Sequence, residues 1–249
     1  MMRFTYKSIQ KMIRLLKEHR YTFCGYPDYK LYDRNIIMRH DVDNDLEKAL
    51  RLAELEADWG IASTYFVLTT SNFYNICSKK NKEILKSICS MGHQVGLHFD
   101  EAQYAVHGEI WIEKAIEEEI SLLEHCLERE VSCVSMHRPS KEVLQMNLHI
   151  KGGRVINSYD KIFFENHKYI SDSRRNWKVN ILELIEKEKY DRLHILLHPF
   201  WYDETEKSGK EVLCSFCKGQ VYKCYDELND NVRNLNELLE KREISAIGV

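Results

Sequence analysis

In Asn35-Ile36-Ile37-Met38-Arg39-His40-Asp41-Val42-Asp43 an apolar run stops at two carboxylates that flank a single valine. A short apolar run bounded by polar residues reads as a buried strand. Side chains alternate along a strand, so Asp41 and Asp43 project to one side at its C-terminal end, and His40 projects to the other. Two acids that close raise each other's pKa unless a cation sits between them, which points to chemistry. The plainer alternative is a turn whose Asp caps the next helix, a task that Asn44 or Asp45 could also perform.

Outward from this stretch the chain alternates. Met1 to His19 has the spacing of an amphipathic helix, and Tyr21 to Arg34 reads as a loop. Leu46 to Trp59 predicts a helix ended by Gly60, and Ser63 to Leu68 a second strand. Lys79 to Met91 is a predicted helix, Gln94 to His98 a third strand, and Glu109 to Arg129 a long helix with an acidic face. Val131 to Met136 is a fourth strand. Lys141 to Lys178 reads as short strands and loops, and Ile181 to Glu188 as a short helix. Arg192 to Leu197 is a strand, Asp203 to Gly219 a mobile, cysteine-bearing excursion, Asp226 to Lys241 a last helix, and Ile244 to Val249 a last strand. Strands alternating with helices mean an α/β protein with a parallel sheet or barrel. No repeat or low-complexity linker interrupts residues 1–249, so one domain is expected.

The bulk properties narrow the partners. Of 249 residues, 44% are hydrophobic, enough for a substantial core, and the net charge of −3 leaves no basic footprint for nucleic acid. No run of about eighteen apolar residues suggests a membrane span, and no apolar leader resembles a secretory signal. A cytoplasmic location is therefore the expectation. It follows that the eight cysteines stay reduced. Cys214-Ser-Phe-Cys217 with Cys224 is half a zinc site at most, because a structural zinc wants four ligands.

The reactive residues share one place. Asp41 and Asp43, His98, His137 with Arg138, and His198 all fall at the C-terminal ends of predicted strands, where a β/α barrel carries its active site. His93, His40 and His194 fall elsewhere on their strands and read as structural, as do His19, His125, His149 and His167.

Five motifs in order resemble those of the polysaccharide deacetylases, the carbohydrate esterase family 4-like superfamily. They are His40-Asp41-Val42-Asp43, Gly92 to His98, His137-Arg138-Pro139-Ser140, Ser171-Asp172-Ser173 with Trp177, and Leu196-Leu197-His198-Pro199. The resemblance implies a distorted β/α barrel of about seven strands and a divalent metal, zinc by expectation, that activates water to hydrolyse an N-acyl amide on an amino sugar. Carried over, it makes Asp41 the general base and His198 the general acid, with Arg138 and Asp172 orienting and tuning the base. Asp43 and His98 become metal ligands, and Trp201 or Trp177 a sugar-stacking wall. Asp172 is equally at home as a turn residue, and Trp201 as rim packing.

The chain also departs from the family. The second metal-binding histidine should follow His98 by four residues, where Ala102 stands. Asp100, Glu101, His107 and His137 are the replacements within reach, with His137 preferred for its strand-end position. The third motif admits either His137 or Arg138 as the match to the family's arginine. Given the expected location, the implied substrate is a small or lipid-linked amino-sugar precursor of a surface polysaccharide. Two other readings stay open: hydrolysis of a different C–N bond, such as a formamide or cyclic amide, and a metal-free pseudoenzyme that binds a glycan or protein.

Overall fold

A computed structural model describes residues 2–104 and 108–244. Their contacts form two compact units, residues 1–204 and 205–249.

In the larger unit eight strands make one sheet: β1 Thr22–Cys24, β2 Asn35–Val42, β3 Thr64–Val67, β4 Gln94–Phe99, β5 Cys133–Met136, β6 Ile156–Asn157, β7 Lys168–Ser171 and β8 Arg192–Leu197. The order is β6-β5-β4-β3-β2-β8-β7, and β1 pairs with the first half of β2. Every described strand pairing is parallel. No described pairing joins β6 to β7, so the sheet curls into a distorted β/α barrel that stays open on one side.

The helices of this unit are α1 Tyr6–Glu18, α2 Leu46–Asp58, α3 Lys79–Ser90, α4 Glu109–Leu127, and the short α5 Lys141–Gln145, α6 Ile162–Glu165 and α7 Ile181–Glu186. The sheet's outer face carries two apolar clusters. Val67, Leu97, Phe99 and Val134 pack under α2, α3 and α4. Ile36, Met38, Leu193, Ile195 and Leu197 pack under α1 and α7. His40, on this outer side, donates from Nε2 to Glu56 Oε1 and Oε2 of α2 at 2.9 and 3.1 Å, and Tyr65 Oη donates to the same carboxylate at 2.8 Å. His93 and His194 are likewise held in structural bonds, to Ser63 and Ala53 and to Tyr26.

The barrel interior is layered by strand alternation. Ile37, Phe66 and Cys133 pack with Tyr26 and Phe163 at the lower level. Gly96 belongs to the same level: a Cβ there would lie 2.6 and 2.7 Å from the Phe66 ring and 2.9 Å from the Cys133 carbonyl oxygen. Only glycine lets β4 approach so closely, and backbone cannot yield as a flexible side chain can.

Several elements differ from the sequence expectation. Asp45, not Asp41 or Asp43, caps α2 by accepting from the backbone of Glu47 and Lys48. The two motif acids are thereby released from capping duty. Ile162 to Phe164, read as an extended piece, forms α6, and Tyr21 to Arg34 contains β1 and a 3-10 turn. The second unit is helical: α8 Gly209–Asn231 is followed by α9 Leu235–Leu238 and α10 Lys241–Ile244. The expected excursion over Asp203 to Gly219 is therefore largely helix. It is started by a reciprocal capping box between Ser208 and Glu211. Tyr225, Leu235 and Ile244 form the small core of this unit. The strand expected at Ile244 to Val249 begins in α10, and residues 245–249 lie outside the described residues.

Gly96→Ala should lower unfolding free energy by about 2–3 kcal/mol, the scale of overpacking a tight core. Urea denaturation of the variant checks this, and an unchanged midpoint would contradict the close approach.

Candidate active site

β2 and the residue that follows it deliver three residues in series, Arg39, Asp41 and Asp43. Arg39 is wholly buried and grips Asp41 with two bonds, Nε to Oδ1 at 3.1 Å and Nη2 to Oδ2 at 2.7 Å. It also donates to Ser135 Oγ at 2.6 Å and Ser158 Oγ at 3.0 Å. Burial pushes the Asp41 carboxyl up, but the Arg39 guanidinium beside it, helped by His98, holds it well below the usual carboxylate range. Asp41 is thus an oriented, ionised carboxylate near neutral pH. The planar two-bond fork is what arginine supplies and lysine cannot.

Above this pair three ligand atoms converge. Asp43 Oδ1 lies 3.3 Å from His98 Nε2 and 3.4 Å from His137 Nδ1, and the two imidazole nitrogens are 3.1 Å apart. His98 comes from the end of β4. His137 extends β5 by one rung, its N–H donating to the Phe99 carbonyl at 2.7 Å. Arg138 then turns the chain through a left-handed φ of +51°. Burial, then the neighbouring His98, pushes the His137 pKa down, so its nitrogen is available as a neutral donor atom. Asp43 Oδ1 is buried and, beyond these two imidazole nitrogens, has no hydrogen-bond partner among the described residues.

These observations fit a divalent cation. One proton can bridge two of the three atoms but not all of them, and an orphaned buried carboxylate oxygen demands a partner. Tetrahedral zinc, with ligand bonds of about 2.0–2.1 Å, needs ligand atoms roughly 3.3–3.4 Å apart. The observed edges of 3.1, 3.3 and 3.4 Å are close to that. Two imidazoles and one carboxylate leave a fourth position for water or substrate. The far nitrogen of His98, Nδ1, has no partner among the described residues, so no second bond fixes its tautomer.

A second charged pair lies within electrostatic reach of both acids. His198, after β8, donates from Nδ1 to Asp172 Oδ1 at 2.6 Å, and its backbone N–H reaches both Asp172 oxygens. Asp172, after β7, is fully buried and also accepts from Tyr202 Oη at 3.0 Å. Burial lowers the His198 pKa, but Asp172 first, then Asp41 and Asp43, raise it to about 9. His198 is an imidazolium near neutral pH, equipped to give a proton away.

The structure thus brings together Asp41, Asp43, His98 and His137, and sets the His198–Asp172 pair near enough for both motif acids to raise the imidazole's pKa. It places the other expected residues elsewhere. Arg138, with a side chain 66% exposed, pairs with Asp100 at 2.8 Å, and it is Arg39 that orients Asp41. Asp172 serves His198 rather than the base. Trp177 is 3% exposed within the apolar cluster under α1 and α7, so it presents no face to a sugar. Trp201 stays partly exposed beside His198, with its ring against Phe200 at 4.8 Å. Among the alternative ligands, Asp100 caps a turn and Glu101 accepts from Ser140, while His107 lies outside the described residues. Arg39, Ser135, Ser158 and Tyr202 went unread in the sequence. Strand alternation carried the signal for Arg39, two residues before Asp41.

No family model matches the chain, and no curated protein does. Solved structures do. The chain is similar to carbohydrate esterase family 4 proteins. A mutant of BA3943, a CE4 family pseudoenzyme from Bacillus anthracis, matches at 14% identity and a TM-score of 0.47, over 75% of this chain and 62% of that one. Peptidoglycan deacetylase PdaC from Bacillus subtilis matches at 14% identity and a TM-score of 0.46, over 74% and 83%. The Xyl-CE4 domain of a multidomain xylanase from the hindgut metagenome of Trinervitermes trinervoides matches at 14% and 0.45, over 79% and 85%. The matched part spans less than two thirds of the BA3943 chain. Likeness at this distance leaves the chemistry to be argued from the site's own geometry.

Two outcomes follow from these pairs. In metal-free protein, NMR titration of the His198 ring should give a pKa of about 9, falling toward the ordinary value in Asp172→Asn. Because the folded pKa lies above the ordinary 6.5, the stability that charged His198 adds is complete below pH 6.5 and is lost as pH rises through about 9. An unshifted ring would refute the pairing. Arg39→Met leaves Asp41 buried and unpaired, and should lower unfolding free energy by about 3–5 kcal/mol in chemical denaturation.

Proposed function

We propose that this protein is a metal-dependent hydrolase that removes an N-acyl group, in the first instance acetyl, from an amino sugar. The observation that carries the proposal is the triangle of Asp43 Oδ1, His98 Nε2 and His137 Nδ1, with a separate ionised carboxylate below it and an imidazolium opposite. Three candidate ligands, with His137 proposed to take the part of the histidine that Ala102 replaces, support hydrolysis over metal-free binding.

Asp43, His98 and His137 would hold the ion. A divalent cation there would acidify a water and polarise an acyl carbonyl, the help that a carboxylate as weakly basic as Asp41 needs. Asp41, immobilised by Arg39, takes the proton that the attacking water gives up. Its side chain is locked by two bonds, so little orientation remains to be frozen during reaction. His198 then delivers its Nε2 proton to the departing amine, which would be too poor a leaving group unprotonated. Asp172 holds the opposite ring nitrogen, and Tyr202 steadies Asp172. Trp201, partly exposed three residues after His198, is the stacking wall proposed for a sugar ring. A small or lipid-linked amino-sugar precursor of a surface polysaccharide, handled in the cytoplasm, is the substrate class proposed. No described helix is long and apolar enough to cross a membrane.

Purified protein reconstituted with zinc or cobalt should bind about one ion per chain, measured by elemental analysis. His137→Ala and His98→Ala should each lose it. The loaded protein should release acetate from an N-acetylated sugar nucleotide or lipid-linked sugar. Asp41→Asn and His198→Ala should cut kcat by about 10²–10⁴-fold while retaining the ion. Full metal binding by His137→Ala would overturn the ligand assignment, and a loaded protein inert toward every N-acyl sugar tried would overturn the activity.

A further inference from the structure

Two cysteines that the catalytic residues do not use lie side by side. Cys77 is exposed, in the segment between β3 and α3, and Cys126 is buried near the end of α4. Their sulfurs are 3.4 Å apart, although 49 positions separate them in the chain. A disulfide bond is roughly 2.05 Å long, so the pair needs an approach of about 1.4 Å.

The position of the pair gives it a consequence. The segment that carries Cys77 is bound to α4 at a second point, where Thr69 Oγ1 donates to Glu119. It also touches the catalytic strand, because Tyr74 Oη donates to the Val42 carbonyl and accepts from the Leu68 N–H at 2.9 Å. Val42 stands between Asp41 and Asp43. Residues 69–78 therefore span from α4 to the backbone of the paired acids.

We propose that Cys77 and Cys126 form a reversible dithiol–disulfide pair, oxidised by a low-molecular-weight disulfide, that fastens residues 69–78 to α4. Cys77 is the sulfur an external reagent reaches. Its thiolate attacks the small disulfide, breaking that S–S bond. One small thiolate leaves and takes a proton from water, and a mixed disulfide forms on Cys77. Cys126 loses its proton to solvent and attacks Cys77 Sγ, expelling the second small thiolate. Two protein thiols are oxidised by two electrons, and one small disulfide is reduced to two thiols. Cys214, Cys217 and Cys224 are exposed on one helix without such a partner contact described.

The test uses the full chain, reduced, then exposed to graded oxidised glutathione, with remaining thiols blocked by N-ethylmaleimide. Non-reducing peptide mass mapping should find a Cys77–Cys126 link at lower glutathione than any link to Cys214, Cys217 or Cys224. The oxidised protein should unfold at a temperature higher by about 5 °C or more. Dithiothreitol should reverse the shift, and Cys77→Ser should never show it. Persistence of both thiols, arrest at the glutathione adduct of Cys77, or a link without a rise in Tm would each overturn the proposal.

Discussion

Everything at the mouth of this barrel depends on a buried guanidinium. Arg39 lies in the layer beneath the converging acids and imidazoles, hydrogen-bonded to Asp41, Ser135 and Ser158. Buried charge is tolerated only when paired and hydrogen-bonded. The pair here is a single residue step apart on one strand face, so the chain makes it locally, without depending on a distant loop. Removing either partner leaves the other charge stranded.

That floor divides the two acids into different roles. Asp41, saturated by Arg39, has an orienting partner and stays ionised. Asp43, one step higher, has an oxygen whose neighbours among the described residues are two imidazole nitrogens. The same division recurs opposite, where Asp172 is saturated by His198 and Tyr202. Two carboxylates engaged by protein cations and one left open give the site two fixed ion pairs and one set of ligand atoms that would fit a cation. β2, β4, β5, β7 and β8 each contribute at their C-terminal ends, where a parallel barrel opens its loops to ligand.

Much of this is legible in the amino-acid sequence. The apolar run before Asp41 and the alternation of strands with helices point to a parallel sheet or barrel, and the family resemblance selects the barrel. Strand parity separated Asp41 and Asp43 from His40, which indeed turns outward to Glu56. The same parity pointed at Arg39, but a charged residue inside an apolar run reads as an interruption unless its partner is already known. Arg138 was overvalued because a motif match fixes sequence position and says nothing of the left-handed turn that sends the side chain to Asp100. Trp177 illustrates the limit of spacing: depth in the core is a tertiary property. Helix α8 was missed because its apolar residues form no strong stripe, although Ser208 and Glu211 spelled out its start.

The most direct measurement is a crystal structure of the zinc-loaded protein with anomalous difference maps recorded on both sides of the zinc absorption edge. The account requires one edge-dependent peak within bonding distance of Asp43, His98 and His137, with Asp41 still held by Arg39 outside the coordination sphere. A peak bound by Asp41 instead, or zinc found only on the cysteines of α8, would contradict it.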